Sequence, residues 1–131
     1  MLKISLGKVS ENLTVRRRTF ASSQISIRVT DLAEIPVIMN RVRSNPPTAI
    51  GSVRVDRIDD FAHGFGLFPA GDILRIWLDG AARVIVRPSG TEPKLKVYID
   101  ASSAEGTPEE RVAAAAATVA ELDAAMRELV R

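Results

Sequence analysis

The segment RPSGTEP (residues 87–93) lies between two runs of strand-forming residues, RVIV before it and KLKVYI after it. In the second run Leu95, Val97 and Ile99 alternate with polar residues, which is typical of a β-strand with one buried face. A strand that stops for a short loop of proline, glycine and hydroxyl residues, and then resumes, is typical of a β-hairpin. A hairpin would bring Lys96 close to Arg87, so this segment constrains both the fold and the placement of two cations.

The same alternation predicts three further strands, over 25–29, 53–56 and 74–78. Asp79 and Gly80 supply the turn that leads from the last of these strands into the strand over 83–87.

Two helices are predicted from apolar residues at helical spacing. The first carries Ile35, Ile38, Met39 and Val42 and ends before Pro46-Pro47. The second begins at a capping box, Thr107 to Glu110, and continues with one apolar stripe: Val112, Ala116, Val119, Leu122, Met126 and Leu129. The order strand, helix, three or four strands, helix predicts an α+β domain, a mostly antiparallel four-stranded sheet with two helices on one face.

A length of 131 residues is sufficient for one domain with a real core. The chain has no cysteine and a formal net charge of only +2, so neither thiol chemistry nor nucleic-acid binding is indicated. No apolar run approaches the ~20 residues of a membrane-spanning helix, and the first residues do not resemble a signal peptide. We therefore expect a cytoplasmic protein with neither a nucleic acid nor a membrane as partner.

Residues 1–22 show no clear amphipathic pattern and are interpreted as a linker or the remnant of a preceding domain, with the domain proper over 23–131. The alternation of Leu2, Ile4 and Leu6 leaves open a strand in this segment. Its basic residues are interpreted as a solvated arm; an RNA-binding arm is the alternative, but three adjacent arginines (16–18) without interleaved aromatic residues are a weak signal.

The loop itself combines the groups that bind a phosphate. Arginine at position 87 offers a planar fork that engages two phosphate oxygens. Ser89 and Thr91 can donate from short side chains, and Gly90 lets backbone N–H groups approach an anion. Lys96 would add a second cation from across the hairpin. The same residues also favour a turn that binds no ligand. Composition alone therefore supports a polar turn and an anion site equally.

Other candidates for chemistry are weaker. His63 is the single histidine of the chain, which excludes a histidine-centred metal cluster. Asp59 and Asp60 are adjacent and lack the spacing of a carboxylate metal loop, so they are interpreted as a solvated strand end. There is no P-loop, no dinucleotide fingerprint and no convincing acid/base pair. We therefore assign neither a catalytic nor a metal-ligating residue.

The stretch RVIVRPSGTEPKLKVYID (83–100) resembles the phosphate-binding signature in the last domain of the α-D-phosphohexomutases, the phosphoglucomutase and phosphomannomutase superfamily. A looser likeness runs from about Ser23 to the C-terminal helix. The resemblance implies a fold similar to the TATA-binding protein and a C-terminal domain that grips the substrate phosphate that is not reacting. Carried over by position, that phosphate would be bound by Arg87, Ser89, Gly90, Thr91 and Lys96.

The resemblance also implies a four-domain parent enzyme that moves a phosphoryl group between the 1- and 6-hydroxyls of a hexose, with a phosphoserine and Mg²⁺. The phosphoserine loop (T-A-S-H-N-P), metal loop (D-G-D-x-D-R) and sugar loop (G-E-x-S-G-H) of that family are missing from these residues. We therefore expect a chain that binds no Mg²⁺ and is inactive alone, with a hexose phosphate and the remaining domains of the parent as partners. The alternative is a stand-alone phospho-ligand or protein-interaction module without catalysis.

Overall fold

The structure of the protein, a computed structural model, describes residues 18–131. The alternation at 2–6 and most of the basic arm lie outside these residues. Within the described part the elements follow in the order β1 (Thr19–Arg28), α1 (Glu34–Ser44), β2 (Ala49–Ile50), β3 (Val53–Asp60), β4 (Leu74–Leu78), β5 (Ala82–Pro88), β6 (Lys94–Ser103) and α2 (Pro108–Leu129).

The strands form one antiparallel sheet with the order β1-β6-β5-β4-β3-β2. The predicted α+β class is confirmed, but four strands were too few, since the described residues contain six. Strand β2 has only two residues, which is too short to show any alternation, and it pairs with β3 across a turn in which Gly51 has a φ of +61°. Strand β1 pairs along its whole length with β6 and forms the opposite edge.

One side of this sheet carries the apolar half of each alternating strand and forms the core with the helices. The predicted helix residues Ile35, Ile38, Met39 and Val42 are all buried on α1, which confirms the spacing. They join Leu122 and Met126 of α2 and the inward residues of the strands in one cluster, so both helices cover the same face. Burying one such aliphatic side chain contributes roughly 1.5–3 kcal/mol, which makes this layer the main source of stability.

Helix α2 begins as predicted. The Thr107 hydroxyl accepts from the Glu110 N–H at 3.1 Å, and the Glu110 carboxylate accepts from the Thr107 N–H at 2.7 Å. Its apolar stripe is only partly as predicted, because the helix buries Ala115 and leaves Val112 and Ala116 exposed. Positions 115, 119, 122 and 126 recur at helical spacing and form the face that meets the sheet.

The sheet surface opposite the helices is called the open face here. It carries the polar half of the alternation, including Gln24 and Ser26 of β1, Lys96 and Tyr98 of β6, and Arg87 of β5. Neither described helix covers it, because both bury their apolar sides on the other face. Within residues 18–131 no helix combines the length and apolar character that crossing a membrane requires.

Candidate anion-binding site

The RPSGTEP segment is a hairpin loop between β5 and β6. Arg87 pairs directly with Lys96, and Pro88 pairs with Leu95, as the hairpin interpretation predicts. On its other side Lys96 pairs with Ser26 of β1. One row of the open face therefore reads Ser26, Lys96, Arg87, with neighbouring Cα atoms about 5 Å apart.

The tip of the loop presents donors towards solvent. Gly90 has a φ of +94°, a conformation that L side chains rarely adopt, while a Cβ placed there would meet no atom within 4 Å. Glycine is therefore required by the backbone conformation and not by lack of space. The Ser89 N–H closes the loop on the Lys94 carbonyl at 3.0 Å. Among residues 18–131, neither the Ser89 and Thr91 side chains nor the Gly90 and Thr91 N–H groups have a hydrogen-bond partner.

Arg87 and Lys96 stand out because nothing in residues 18–131 neutralises them. Every other arginine and lysine in that range forms a hydrogen bond or an ion pair with a carboxylate, hydroxyl or carbonyl oxygen. Like charges directly opposite each other destabilise a strand pair. A pair of this kind, left without a carboxylate beside it, is a site where a bound anion would relieve repulsion.

Other charges near the motif are already paired. Arg83 Nη2 lies 2.6 Å from Asp100 Oδ2, and Lys94 Nζ lies 3.2 Å from Glu92 Oε1. Arg28 Nη2 of β1 reaches the other oxygen of Glu92 at 3.4 Å. The hydrogen bond and charge of Lys94, supported by Arg28, lower the pKa of Glu92, so this carboxylate stays ionised at neutral pH. Its carboxylate is thus held by the side chains of Lys94 and Arg28.

Two residues of this surface were not identified from the sequence. Ser26 and Gln24 lie on β1, opposite Lys96 and Tyr98, and both are exposed. The only signal for them was the polar half of the alternation in β1, which fixes the face but not the partner strand. The side chains of Gln24 and Ser26 make no hydrogen bond to any residue of the described part.

Asp59, interpreted from the sequence as solvated, is buried with a relative exposure of 5%. Its carboxylate accepts from Trp77 Nε1 at 2.7 Å, Arg75 Nη2 at 2.9 Å and Arg57 Nε at 3.3 Å. Burial acts to raise the pKa of Asp59, but the hydrogen bonds from Trp77, Arg75 and Arg57 outweigh it, and the pKa lies below its ordinary value. The guanidinium of Arg75 also lies over the rings of Phe61, Phe65 and Trp77 at 5.1–5.4 Å, so Asp59 anchors a structural cluster.

The described residues do not form a metal site. No group of three or more histidine or acidic side chains in 18–131 is placed to hold a metal ion. The aspartates considered above are bound to arginines, Asp59 to Arg75 and Asp60 to Arg43 at 3.0 Å. His63 is exposed in the loop between β3 and β4.

The described residues thus form an antiparallel α+β domain with an unpaired cationic pair beside a donor-rich hairpin. A family model described as "Phosphoglucomutase/phosphomannomutase, C-terminal domain" matches residues 25–122. The chain belongs to this family, and it corresponds to the C-terminal domain.

Relatives with curated names support this membership. A probable phosphomannomutase from Haemophilus influenzae is 37% identical over 127 residues, which is 97% of this chain and 24% of that protein. A phosphoglucomutase from Staphylococcus aureus is 34% identical over 77 residues, covering 50% of this chain and 14% of that protein. A phosphoglucosamine mutase from Ralstonia pickettii is 41% identical over 59 residues, 45% of this chain and 13% of that protein. The chain thus spans about a quarter or less of each relative.

Proposed function

We propose that this chain is the substrate-phosphate-binding C-terminal domain of a phosphohexomutase, an isomerase that interconverts hexose 1-phosphates and hexose 6-phosphates through a bisphosphate. The observation that carries the proposal is the directly paired Arg87 and Lys96, left without a counter-ion in residues 18–131. Family membership supplies the class of reaction, and the names of the relatives, which refer to mannose, glucose and glucosamine, supply a hexose phosphate as ligand.

In this proposal each group has a distinct part in holding the phosphate. The Arg87 guanidinium would engage two oxygens through its planar fork, and Lys96 would add a mobile point charge from the neighbouring strand. The hydroxyls of Ser89 and Thr91 and the N–H of Gly90 would supply neutral donors at the loop tip. A site built from several convergent donors can hold either phosphate of a bisphosphorylated sugar, which suits a domain that grips the non-reacting end.

The chemical step would take place on parts of a parent enzyme that this sequence does not include. The phosphoserine motif and the Mg²⁺-binding motif of the phosphohexomutases have no counterpart among the 131 residues. In such an enzyme Mg²⁺ supports phosphoryl transfer by neutralising negative charge. The domain proper is proposed to cover 23–131, with the rest of the parent as its protein partner.

Titration of the full chain with inorganic phosphate, followed by backbone amide resonances, tests the site. We expect progressive shifts at Ser89, Gly90, Thr91 and Lys96. Arg87→Ala should abolish these shifts, because it removes the bidentate anchor and half of the cationic pair.

The matched control is Arg54→Ala, which removes an exposed arginine on β3 that pairs with Asp79 at 3.0 Å. This variant should leave the phosphate shifts unchanged. Undiminished shifts in Arg87→Ala would refute the assignment of Arg87, and equal losses in both variants would show only a general effect of net charge.

A further inference from the structure

A depression of about 370 Å³ lies on the open face beside the proposed phosphate row. Its lining comes from two successive rows of the sheet: Gln24, Tyr98 and Ile85, and then Ser22, Asp100 and Arg83. The first of these rows is one side-chain step along the strands from Ser26, Lys96 and Arg87. That step corresponds to about 7 Å, since same-face residues are two positions apart.

In the far row of the depression the two charged side chains already neutralise each other. Arg83 donates to Asp100 through Nε at 3.2 Å and Nη2 at 2.6 Å, and the Ser22 hydroxyl donates to the other Asp100 oxygen at 2.8 Å. Arg83 also lies 5.8 Å from the Trp77 ring centroid. This row closes the depression with a neutralised ion pair.

The near row is different, because its polar groups are unused. The Gln24 amide and the Tyr98 hydroxyl have no hydrogen-bond partner in residues 18–131. An amide offers both donors and an acceptor, and a phenol can donate and accept. Ile85 of β5 pairs with Tyr98 and adds an apolar surface next to the aromatic ring. Such a row suits a neutral ligand that carries several hydroxyls on a partly apolar ring.

We infer that Gln24 and Tyr98 form a sugar subsite that contacts the hexose ring of the ligand whose phosphate is held by Arg87 and Lys96. This inference rests on the proposed function, because it takes the phosphate row as its anchor. The charge pattern fits a single ligand with an anionic end and a neutral end. The unpaired cationic row would bind the phosphate, and the neutral hydrogen-bonding row next to it would bind the ring. A hexose 6-phosphate joins these two parts through one oxygen and one methylene, so its ring would fall on the adjacent row.

The test compares three probes on the full chain by the same titration: inorganic phosphate, mannose 6-phosphate and unphosphorylated mannose. We expect the sugar phosphate to bind about tenfold more tightly than phosphate, the equivalent of one or two added hydrogen bonds and a ring contact. It should also shift the Gln24 side-chain amide and the Tyr98 ring resonances, which inorganic phosphate should leave in place.

Two variants separate the rows. Gln24→Ala and Tyr98→Phe should each remove most of the advantage of the sugar phosphate while leaving the affinity for inorganic phosphate unchanged. Both positions lie on the open face and outside the buried core, and an unchanged spectrum elsewhere would verify the fold. Thr30→Ala, an exposed hydroxyl just beyond β1, is the control and should alter neither affinity.

The outcomes test the sugar subsite and the proposed function separately. Equal affinities for phosphate and mannose 6-phosphate, with shifts confined to 87–96, would overturn the sugar subsite and leave the proposed function intact. Absence of shifts at 87–96 with any anion would overturn the proposed function, and the subsite with it. Shifts at Gln24 and Tyr98 with mannose alone would support a sugar surface that works without the phosphate anchor, which contradicts the inference as stated.

Discussion

Asp59 shows how one residue can organise the open face. Its buried carboxylate accepts hydrogen bonds from Arg75 and Trp77 of β4, and the Arg75 guanidinium in turn lies over the ring of Phe65 in the loop that follows β3. The carboxylate is thus a structural anchor between two strands and a loop. Removing a charge from such a cluster leaves buried donors without an acceptor, which costs more than the loss of an exposed ion pair.

Asp59→Asn should lower the free energy of unfolding by about 3 kcal/mol at pH 7, measured by urea denaturation. The pKa of Asp59 is lower in the folded state than its ordinary value, so its contribution is complete above roughly pH 5 and is lost as the pH falls through the folded-state pKa. The difference between wild type and variant should therefore shrink below about pH 4.

Asp79→Asn provides the comparison, because Asp79 pairs with Arg54 where both side chains are about half exposed or more. Its effect should stay below about 1 kcal/mol. A cost of Asp59→Asn that is as large at pH 3 as at pH 7 would contradict the charge-based account.

Glu92 offers a second prediction at this scale. It is the anion nearest in sequence to the proposed phosphate ligands, and Glu92→Gln would remove its repulsion and release Lys94. Phosphate affinity should rise about threefold at low salt, and less at higher ionic strength. The control Glu128→Gln removes a carboxylate from the end of α2 and should have no effect. Weaker binding in Glu92→Gln would show instead that the ion pairs of Glu92 shape the loop.

At the scale of elements, the capping box fixes where α2 begins. Thr107→Ala removes the acceptor for the Glu110 N–H and should cost about 1 kcal/mol in urea denaturation. Thr118→Ala, in the same helix, removes only a hydroxyl bonded to the Ala114 carbonyl, and its effect should stay within about 0.5 kcal/mol. Similar costs for the two variants would mean that the cap contributes nothing specific.

The elements that were predicted correctly depend on local patterns. The capping box, the buried residues of α1 and the β5–β6 hairpin each follow from residues close together in the chain, so spacing and turn chemistry suffice. The partner of β1 could not be predicted, because alternation sets which side of a strand is buried and is silent on its neighbour. For the same reason the sequence indicated Arg87 and Lys96 but neither Ser26 nor Gln24. The burial of Asp59 depends on Trp77 and Arg75, which belong to another strand.

At the scale of the whole molecule, the purified 131-residue chain should show no turnover of glucose 1-phosphate or mannose 1-phosphate. It lacks the motif that carries the reactive serine in the resembled family, and the described residues offer no metal site. A coupled assay over a range of protein concentrations measures this directly. Turnover that remains proportional to the chain's concentration through a further purification step would disprove the expectation.

The strand order determines when the β1 edge of the open face can form during folding. β1 precedes every other described element, yet its partner β6 comes after five of them, so about 70 residues must be made before the two can meet. Contacts of such long sequence separation form late and slow the folding of a chain. The phosphate ligands lie within the local β5–β6 hairpin, whereas the row of Gln24 and Tyr98 exists only once β1 has paired with β6. In a refolding experiment, recovery of the tighter binding of mannose 6-phosphate should therefore lag behind recovery of inorganic phosphate binding, and the lag would report when β1 joins the sheet.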